Sequence, residues 1–182
     1  AASDVYKRQH LKRQGTAGEV TATKDMGFYT VRYPYSGSPL VSIVIPSRDE
    51  VETLKKCLAA IQKTHYANYE VIVVENNSVD PESFEYYQRL LQYDPRIRVV
   101  QWPQRDGNFN YSALINFGAS QAQGDYLLLL NNDTEVITPD WIEEMVGYLQ
   151  RPEVGVVGAK LYFRDHLTQH AGMEAVSYTH LT

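Results

Sequence analysis

The chain has 182 residues, 43% apolar and 21% charged, the balance of a soluble globular protein with enough chain for one real core. Its formal net charge of −5 argues against binding nucleic acid through phosphate contacts. The longest apolar candidate, Tyr126 to Leu130, is strand-sized and far short of the 18 or more residues of a membrane span. The single cysteine, Cys57, excludes an internal disulfide framework and suits a reducing compartment.

In chain order, the opening AASDVYKRQ has neither a strand nor a helix period. It and the closing VSYTHLT resemble translated sequencing-adapter read-through, which sets the natural segment at about His10 to Ala175. Residues 1–38 are expected to be a lead-in or linker with an artefactual start, 39–175 one domain, and 176–182 an artefactual tail. Polar residues dominate from Leu11 to Ser38, which reads as extended chain. Leu40 to Ile45 is β-branched and almost continuously apolar, as in a strand covered on both faces.

A helix follows over Val51 to Lys63, with Leu54, Cys57, Leu58 and Ile61 on one buried face. Tyr69 to Val74 reads as a second buried strand. Asp80 and Pro81 suit the N-cap and first position of a helix running to Gln92. Ile97 to Trp102 is a third strand. The helix from Tyr111 to Gln123 should bury Tyr111, Leu114, Ile115, Gly118, Ala119 and Ala122, with Gly124 as its stop. Asp125 to Leu130 is a fourth strand, a helix opens at Thr138-Pro-Asp-Trp and reaches Leu149, and Val154 to Leu161 is a fifth strand. Alternating strands and helices predict an α/β fold with a mainly parallel sheet flanked by helices.

Ligands of open α/β sheets bind beyond the carboxyl ends of the strands. After the first strand stands Pro46-Ser47-Arg48-Asp49-Glu50, after the second Glu75-Asn76-Asn77-Ser78, and after the fourth Asn131-Asn132-Asp133-Thr134-Glu135. All three are rich in oxygen ligands and amides. Neither glycine-based phosphate motif, G-x-G-x-x-G after a strand or G-x-x-x-x-G-K-[ST], is present. A diphosphate among these carboxylates would meet like charge, costing at 4 Å about 1 kcal/mol in water and about 4 at an effective dielectric of 20. A divalent cation reverses that sign. Oxygen-only ligands favour magnesium or manganese, held by one or two carboxylates together with substrate phosphate and water. Asp133 is the best single candidate ligand.

These residues resemble a known family. Pro39-Leu-Val-Ser-Ile-Val-Ile-Pro-Ser-Arg-Asp49 is similar to the opening strand and loop of family-two glycosyltransferases, which have the GT-A fold. Val73-Val-Glu-Asn-Asn-Ser-Val-Asp80 resembles their second-strand motif, and Asn110 to Gly118 their donor-side helix. Leu127-Leu-Leu-Leu-Asn-Asn-Asp-Thr-Glu-Val-Ile137 resembles their D-x-D region in the N-N-D-T form of enzymes that build surface polysaccharides and O-antigens, and Gln169-His-Ala-Gly172 recurs there too. The likeness runs from Pro39 to Met173.

The resemblance implies that Pro46, Ser47, Arg48 and Glu50 line a nucleoside pocket. It implies that Glu75 and Asn76 hold base and ribose, that Asn110 contacts the donor, that Asn132 touches the ribose, and that Asp133 binds magnesium or manganese. Asn131 and Asn76 replace carboxylates of the family pattern and Glu75 replaces an aspartate, which should weaken metal affinity. The family's catalytic base lies well beyond D-x-D, and nothing after Met173 matches it, so no catalytic residue is assigned.

The expectation is therefore the donor-binding portion of an inverting glycosyltransferase, an incomplete GT-A domain inactive alone. Its partners would be a nucleoside diphosphate sugar and a glycan or lipid-linked acceptor. Its place would be the cytoplasm, with or without peripheral attachment to the inner membrane in the full-length protein. The rivals are a non-catalytic nucleotide-binding or scaffold module and a sugar nucleotidyltransferase, the latter disfavoured by the lack of a glycine-rich loop after the first strand.

Overall fold

The computed structural model of the chain describes residues 2–23, 28–103 and 109–172. In chain order these form helix α1 (Ala2–Arg13), strands β1 (Glu19–Ala22), β2 (Tyr29–Arg32) and β3 (Val41–Ser47), and helix α2 (Val51–Ile61). Strand β4 (Tyr69–Glu75), helix α3 (Pro81–Tyr93), strand β5 (Ile97–Gln101), helix α4 (Tyr111–Ser120) and strand β6 (Tyr126–Leu129) follow. Helix α5 (Trp141–Leu149) and strands β7 (Leu161–Tyr162) and β8 (Thr168–His170) complete the order. No helix among the described residues is long and apolar enough to cross a membrane. The chain divides into two compact units, Ser36–Trp141 and Ala1–Tyr35 with Ile142–Thr182.

The Ser36–Trp141 unit carries a four-stranded sheet in the order β5-β4-β3-β6, parallel at every pairing. β3 and β4 are buried along nearly their whole length, which is why their sequences are continuous apolar runs. β6 alternates half-buried and exposed residues; its Leu127 and Leu129 are exposed. α4 packs on the sheet through Leu114 and Ile115, which cluster with Val44, Ile72 and Val74.

Glycine is required where α4 meets that sheet. A Cβ at Gly118 would lie 2.5 Å from Val44 Cγ1 and 2.6 Å from Val74 Cγ2. Tyr111, in the first turn, is largely exposed rather than buried as its spacing suggested. α4 ends at Gln121, and Gly124 is not its left-handed stop. A Cβ at Gly124 would stand 2.6 Å from Leu40 O and from Ser42 Oγ, so this glycine serves close backbone approach.

The amino ends of the strands are tied by one buried carboxylate. Glu70 Oε1 accepts from Ser42 Oγ at 2.7 Å and from Gln123 N at 2.7 Å, while Oε2 accepts from Arg98 at 2.8 Å. Arg98 also donates to Gln121 O at 2.7 Å. The cluster links β3, β4, β5 and the exit of α4.

In the other unit, β1 and β2 pair antiparallel with Glu19 opposite Arg32. Tyr148 of α5 donates to Val31 O at 3.0 Å, and its ring meets Tyr33 edge-on at 4.9 Å. The period-free start forms α1, a helix without an apolar stripe, whose basic last turn of His10, Lys12 and Arg13 suits the negative helix end. The expected fifth strand does not form over Val154 to Lys160. Gly155 and Gly158 interrupt that run and Val156 is 89% exposed, as expected where glycine weakens a strand. Only Leu161–Tyr162 pairs, antiparallel, with β8. The expected tail, 176–182, lies outside the described residues.

Burial alone would raise the Glu70 carboxyl, but the Ser42 hydroxyl, the Gln123 amide and the Arg98 guanidinium outweigh it and hold it below its ordinary value of 4.5. A carboxyl depressed on folding adds stability that is whole above its unfolded value and is lost as pH falls through the folded one. Glu70→Gln should therefore cost about 1–3 kcal/mol at neutral pH, with the deficit narrowing below about pH 4.5. Urea melts of both proteins at pH 7 and pH 3.5 check this. An equal deficit at both pH values would contradict it.

Candidate functional site

Parallel pairing puts the carboxyl ends of β3, β4 and β6 on one rim. From β3 the chain steps to β4 and β5 on one side, then returns to pair β6 on the other side of β3. The reversal makes the carboxyl end of β3 a topological switch point, where α/β sheets open a crevice. Residues 46–50 leave from that point, flanked by 75–78 after β4 and 130–135 after β6. With strands about 4.8 Å apart, the two flanking loops stand about 10 Å from each other. α4 runs back toward the opposite rim, where Gln121 meets Arg98, so Asn110 at its other end belongs to the loop rim.

The β3 and β4 loops are bound to each other. Asn76 N donates to Ser47 O at 2.8 Å, and Asp49 N donates to Ser78 Oγ at 2.9 Å. Asp49 Oδ1 accepts from Val79 N and Asp80 N, each at 2.9 Å. Three non-glycine residues here, Asp49 (φ 52°), Glu50 (φ 52°) and Asn77 (φ 55°), adopt the left-handed conformation. Such positions cost on the order of 1–3 kcal/mol each and persist where surrounding bonds over-determine them. Asp49 and Ser78 stood in the oxygen-rich clusters read from the sequence but were given no role of their own; the only signal for one would have been their habit of accepting from nearby backbone amides in turns.

Each expected residue has a definite place. Pro46 is half-buried, and Arg48 and Glu50 are exposed at the mouth of the loop. Ser47 is buried, with its hydroxyl 3.4 Å from Tyr87 Oη. Glu50 is the N-cap of α2 but makes no side-chain cap bond; its carboxylate lies 3.4 Å from Thr53 Oγ1. Asn110 caps α4 by accepting from Ala113 N at 3.0 Å, which leaves its amide donors outside the cap. Trp102 packs edge-on against Phe117 at 5.3 Å.

Glu75 is the most constrained. It is 2% exposed, and its Oε1 accepts from Ser78 N. Its Oε2 is buried and has no hydrogen-bond partner among the described residues. An unmatched buried acceptor costs about 1–3 kcal/mol, more if charged, and calls for an explanation such as a missing ligand.

On the far side of β3, Asp133 and Asn131 are exposed and Asn132 is half-buried. The described residues hold no group of three or more His, Cys, Asp or Glu side chains that could cage a metal. One open carboxylate beside two amides suits a hard cation that arrives with phosphate oxygens and water, not a closed protein site. Beneath the loop, the Cys57 thiol of α2 lies 3.7 Å from Asn131 O. Burial first, then the Asp133 and Glu135 carboxylates, push this thiol up to about 12.

The sheet order and pairings define an α/β protein with a parallel sheet. The chain belongs to glycosyl transferase family 2, whose model matches residues 42–175. It is 44% identical over 166 residues to the O-antigen biosynthesis protein RfbC of Myxococcus xanthus, covering 91% of this chain and 12% of that protein. It is 46% identical over 147 residues to the uncharacterized protein y4gI of Sinorhizobium fredii, covering 80% of this chain and 16% of that one. The chain thus spans less than a fifth of either relative.

Among solved structures, the mannosyltransferase PcManGT of Pyrobaculum calidifontis, in complex with GDP-Man and Mn2+, superposes with a TM-score of 0.60 at 19% identity, over 85% of this chain and 42% of that one. TarS 1–349 of S. aureus in complex with UDP-GlcNAc gives 0.50 at 18% identity, over 65% and 37%. These likenesses establish the GT-A fold.

A thiol pushed up to about 12 is roughly one part in ten thousand thiolate at pH 8, and the thiolate is the reactive form. Cys57 should resist iodoacetamide at pH 8 in the folded protein and react fully in 6 M guanidinium, measured by intact mass. Rapid labelling of the folded chain would show that the α2 contact with the Asn131 loop opens readily.

Proposed function

We propose that this chain is the donor-binding portion of an inverting glycosyltransferase acting in polysaccharide or O-antigen synthesis. In that reaction a sugar passes from a nucleoside diphosphate to a glycan or lipid-linked acceptor. The observation that carries the reading is the convergence of the three oxygen-rich loops at the switch point of the sheet. Support comes from membership of glycosyl transferase family 2 and from structural neighbours whose ligands are GDP-Man with Mn2+ and UDP-GlcNAc.

Glu75 Oε2, buried and unmatched, is suited to accept an N–H from the nucleobase, with Asn76 beside it for the ribose. Pro46 and Arg48 flank the nucleoside, and Asn132 takes a ribose hydroxyl. Asn110 offers its amide donors from the start of α4. Asp133 would hold magnesium or manganese, whose charge offsets that building on the leaving diphosphate. The 10 Å or so between the β4 and β6 loops lets base and diphosphate be held by different strands. No catalytic residue is assigned; the general base that takes the acceptor proton and the acceptor site belong, in this reading, to other parts of the full-length protein.

Two asparagines in place of carboxylates favour as second reading a module that binds nucleotide without turning it over. Metal dependence separates the two. A nucleoside diphosphate at 100 times its dissociation constant should stabilise the chain by about 2.7 kcal/mol, read as a rise in melting temperature. With uridine or thymidine diphosphate, manganese should enlarge the rise and Asp133→Ala should remove the manganese-dependent part alone. A rise indifferent to manganese favours the metal-free binder, and no rise with any nucleoside diphosphate refutes both readings.

A further inference from the structure

Asp49 belongs to the β3 loop but makes its side-chain and backbone bonds to the β4 loop. Its Oδ1 receives two backbone amides from the far loop, Val79 N and Asp80 N, both at 2.9 Å. Its own N–H goes to Ser78 Oγ at 2.9 Å. Ser78 in turn sends its N–H to Glu75 Oε1. A continuous chain of bonds therefore runs from the β3 loop, through Asp49 and Ser78, to the carboxylate with the unmatched oxygen. Asp80 extends it by accepting from Glu82 N at 3.0 Å, which seats the first turn of α3.

Resting on the donor-site reading above, we infer that Asp49 is a positioning residue that joins the β3 and β4 loops into one body and presets Glu75 for the nucleobase. The backbone supplies the reason such a device is needed. Asp49 and Glu50 on one loop and Asn77 on the other are all left-handed, a conformation that non-glycine residues leave readily unless held. Oδ1 as acceptor of two amides at one point fixes the far loop relative to the near one. Its remaining oxygen, Oδ2, is 4.0 Å from Arg48 Nε, beyond hydrogen-bond reach, so the bridging rests on Oδ1.

The role needs an acceptor oxygen at this position and does not need its charge. Asparagine keeps that oxygen; alanine loses it. Without the acceptor, the loops sample other arrangements, and apparent affinity falls by the fraction of time the competent one is present. The nucleoside half of the ligand loses, while the cation half, on the far side of β3, does not.

The test compares the 182-residue chain with its Asp49→Ala and Asp49→Asn variants in two measurements. In calorimetric titrations with uridine diphosphate, Asp49→Ala should weaken binding about tenfold or more both with and without manganese, so that the ratio of the two affinities stays at the wild-type value. Asp49→Asn should restore binding to within about threefold. In hydrogen exchange, the amides of Ser78, Val79 and Asp80 should lose protection in Asp49→Ala and keep it in Asp49→Asn, while Tyr69 to Val74 in the sheet stays protected in both.

Wild-type affinity and wild-type exchange in Asp49→Ala would overturn the inference. So would an Asp49→Asn variant as impaired as Asp49→Ala, because charge and not the acceptor would then be at work. A wild-type chain that binds neither uridine diphosphate nor any other nucleoside diphosphate would defeat the donor-site reading instead; unchanged exchange in Asp49→Ala would still defeat the joining of the loops.

Discussion

The parallel pairing of β3 with both β4 and β6 is the constraint on which the rest of this structure depends. Because each pairing is parallel, every loop that leaves these strands must leave by the same rim. Because β3 is central and the chain reverses around it, three polar loops leave that rim side by side, at the position where α/β sheets bind ligands. Neither effect needs a particular side chain in the loops. The sheet supplies the convergence, and the loops supply the chemistry.

The two rims of the sheet do different work. At the amino rim the polar groups are closed on one another: Glu70 takes up Ser42, Gln123 and Arg98, and Gly124 lets backbone approach β3 closely. At the carboxyl rim the β3 and β4 loops also bind each other, but some polar groups are left open. Glu75 keeps a buried oxygen without a partner among the described residues, Asp133 stays exposed, and three residues hold left-handed backbone. Closed groups stabilise the fold, whereas a buried acceptor without a partner, as at Glu75, carries a standing cost.

How much of this was legible in the amino-acid sequence follows from the range of each interaction. β3 and β4 could be read because burial on both faces needs continuous apolar residues. α2 and α4 could be read because a buried helical face repeats every three or four residues. Asp80 as a cap could be read because its partner, Glu82 N, is two residues away. The GT-A fold was legible too, through the four motifs between Pro39 and Ile137.

What escaped reading is long-range or depends on a missing neighbour. Gly124 faces residues 84 and 82 positions earlier, Leu40 and Ser42, and no local pattern announces that. The bonds from Asp49 to Val79 and Asp80 cross about thirty positions. The run Val154 to Leu161 looks like a strand until its two glycines and the want of packing are weighed, and α1 forms without the apolar stripe by which helices are recognised. The most direct test of the central claim is an amide chemical-shift map on adding a nucleoside diphosphate with magnesium. The account requires residues 47–50, 76–78 and 131–135 to shift together while 40–42 and 121–124 on the opposite rim stay still; shifts confined to one loop, or centred on the amino rim, would contradict it.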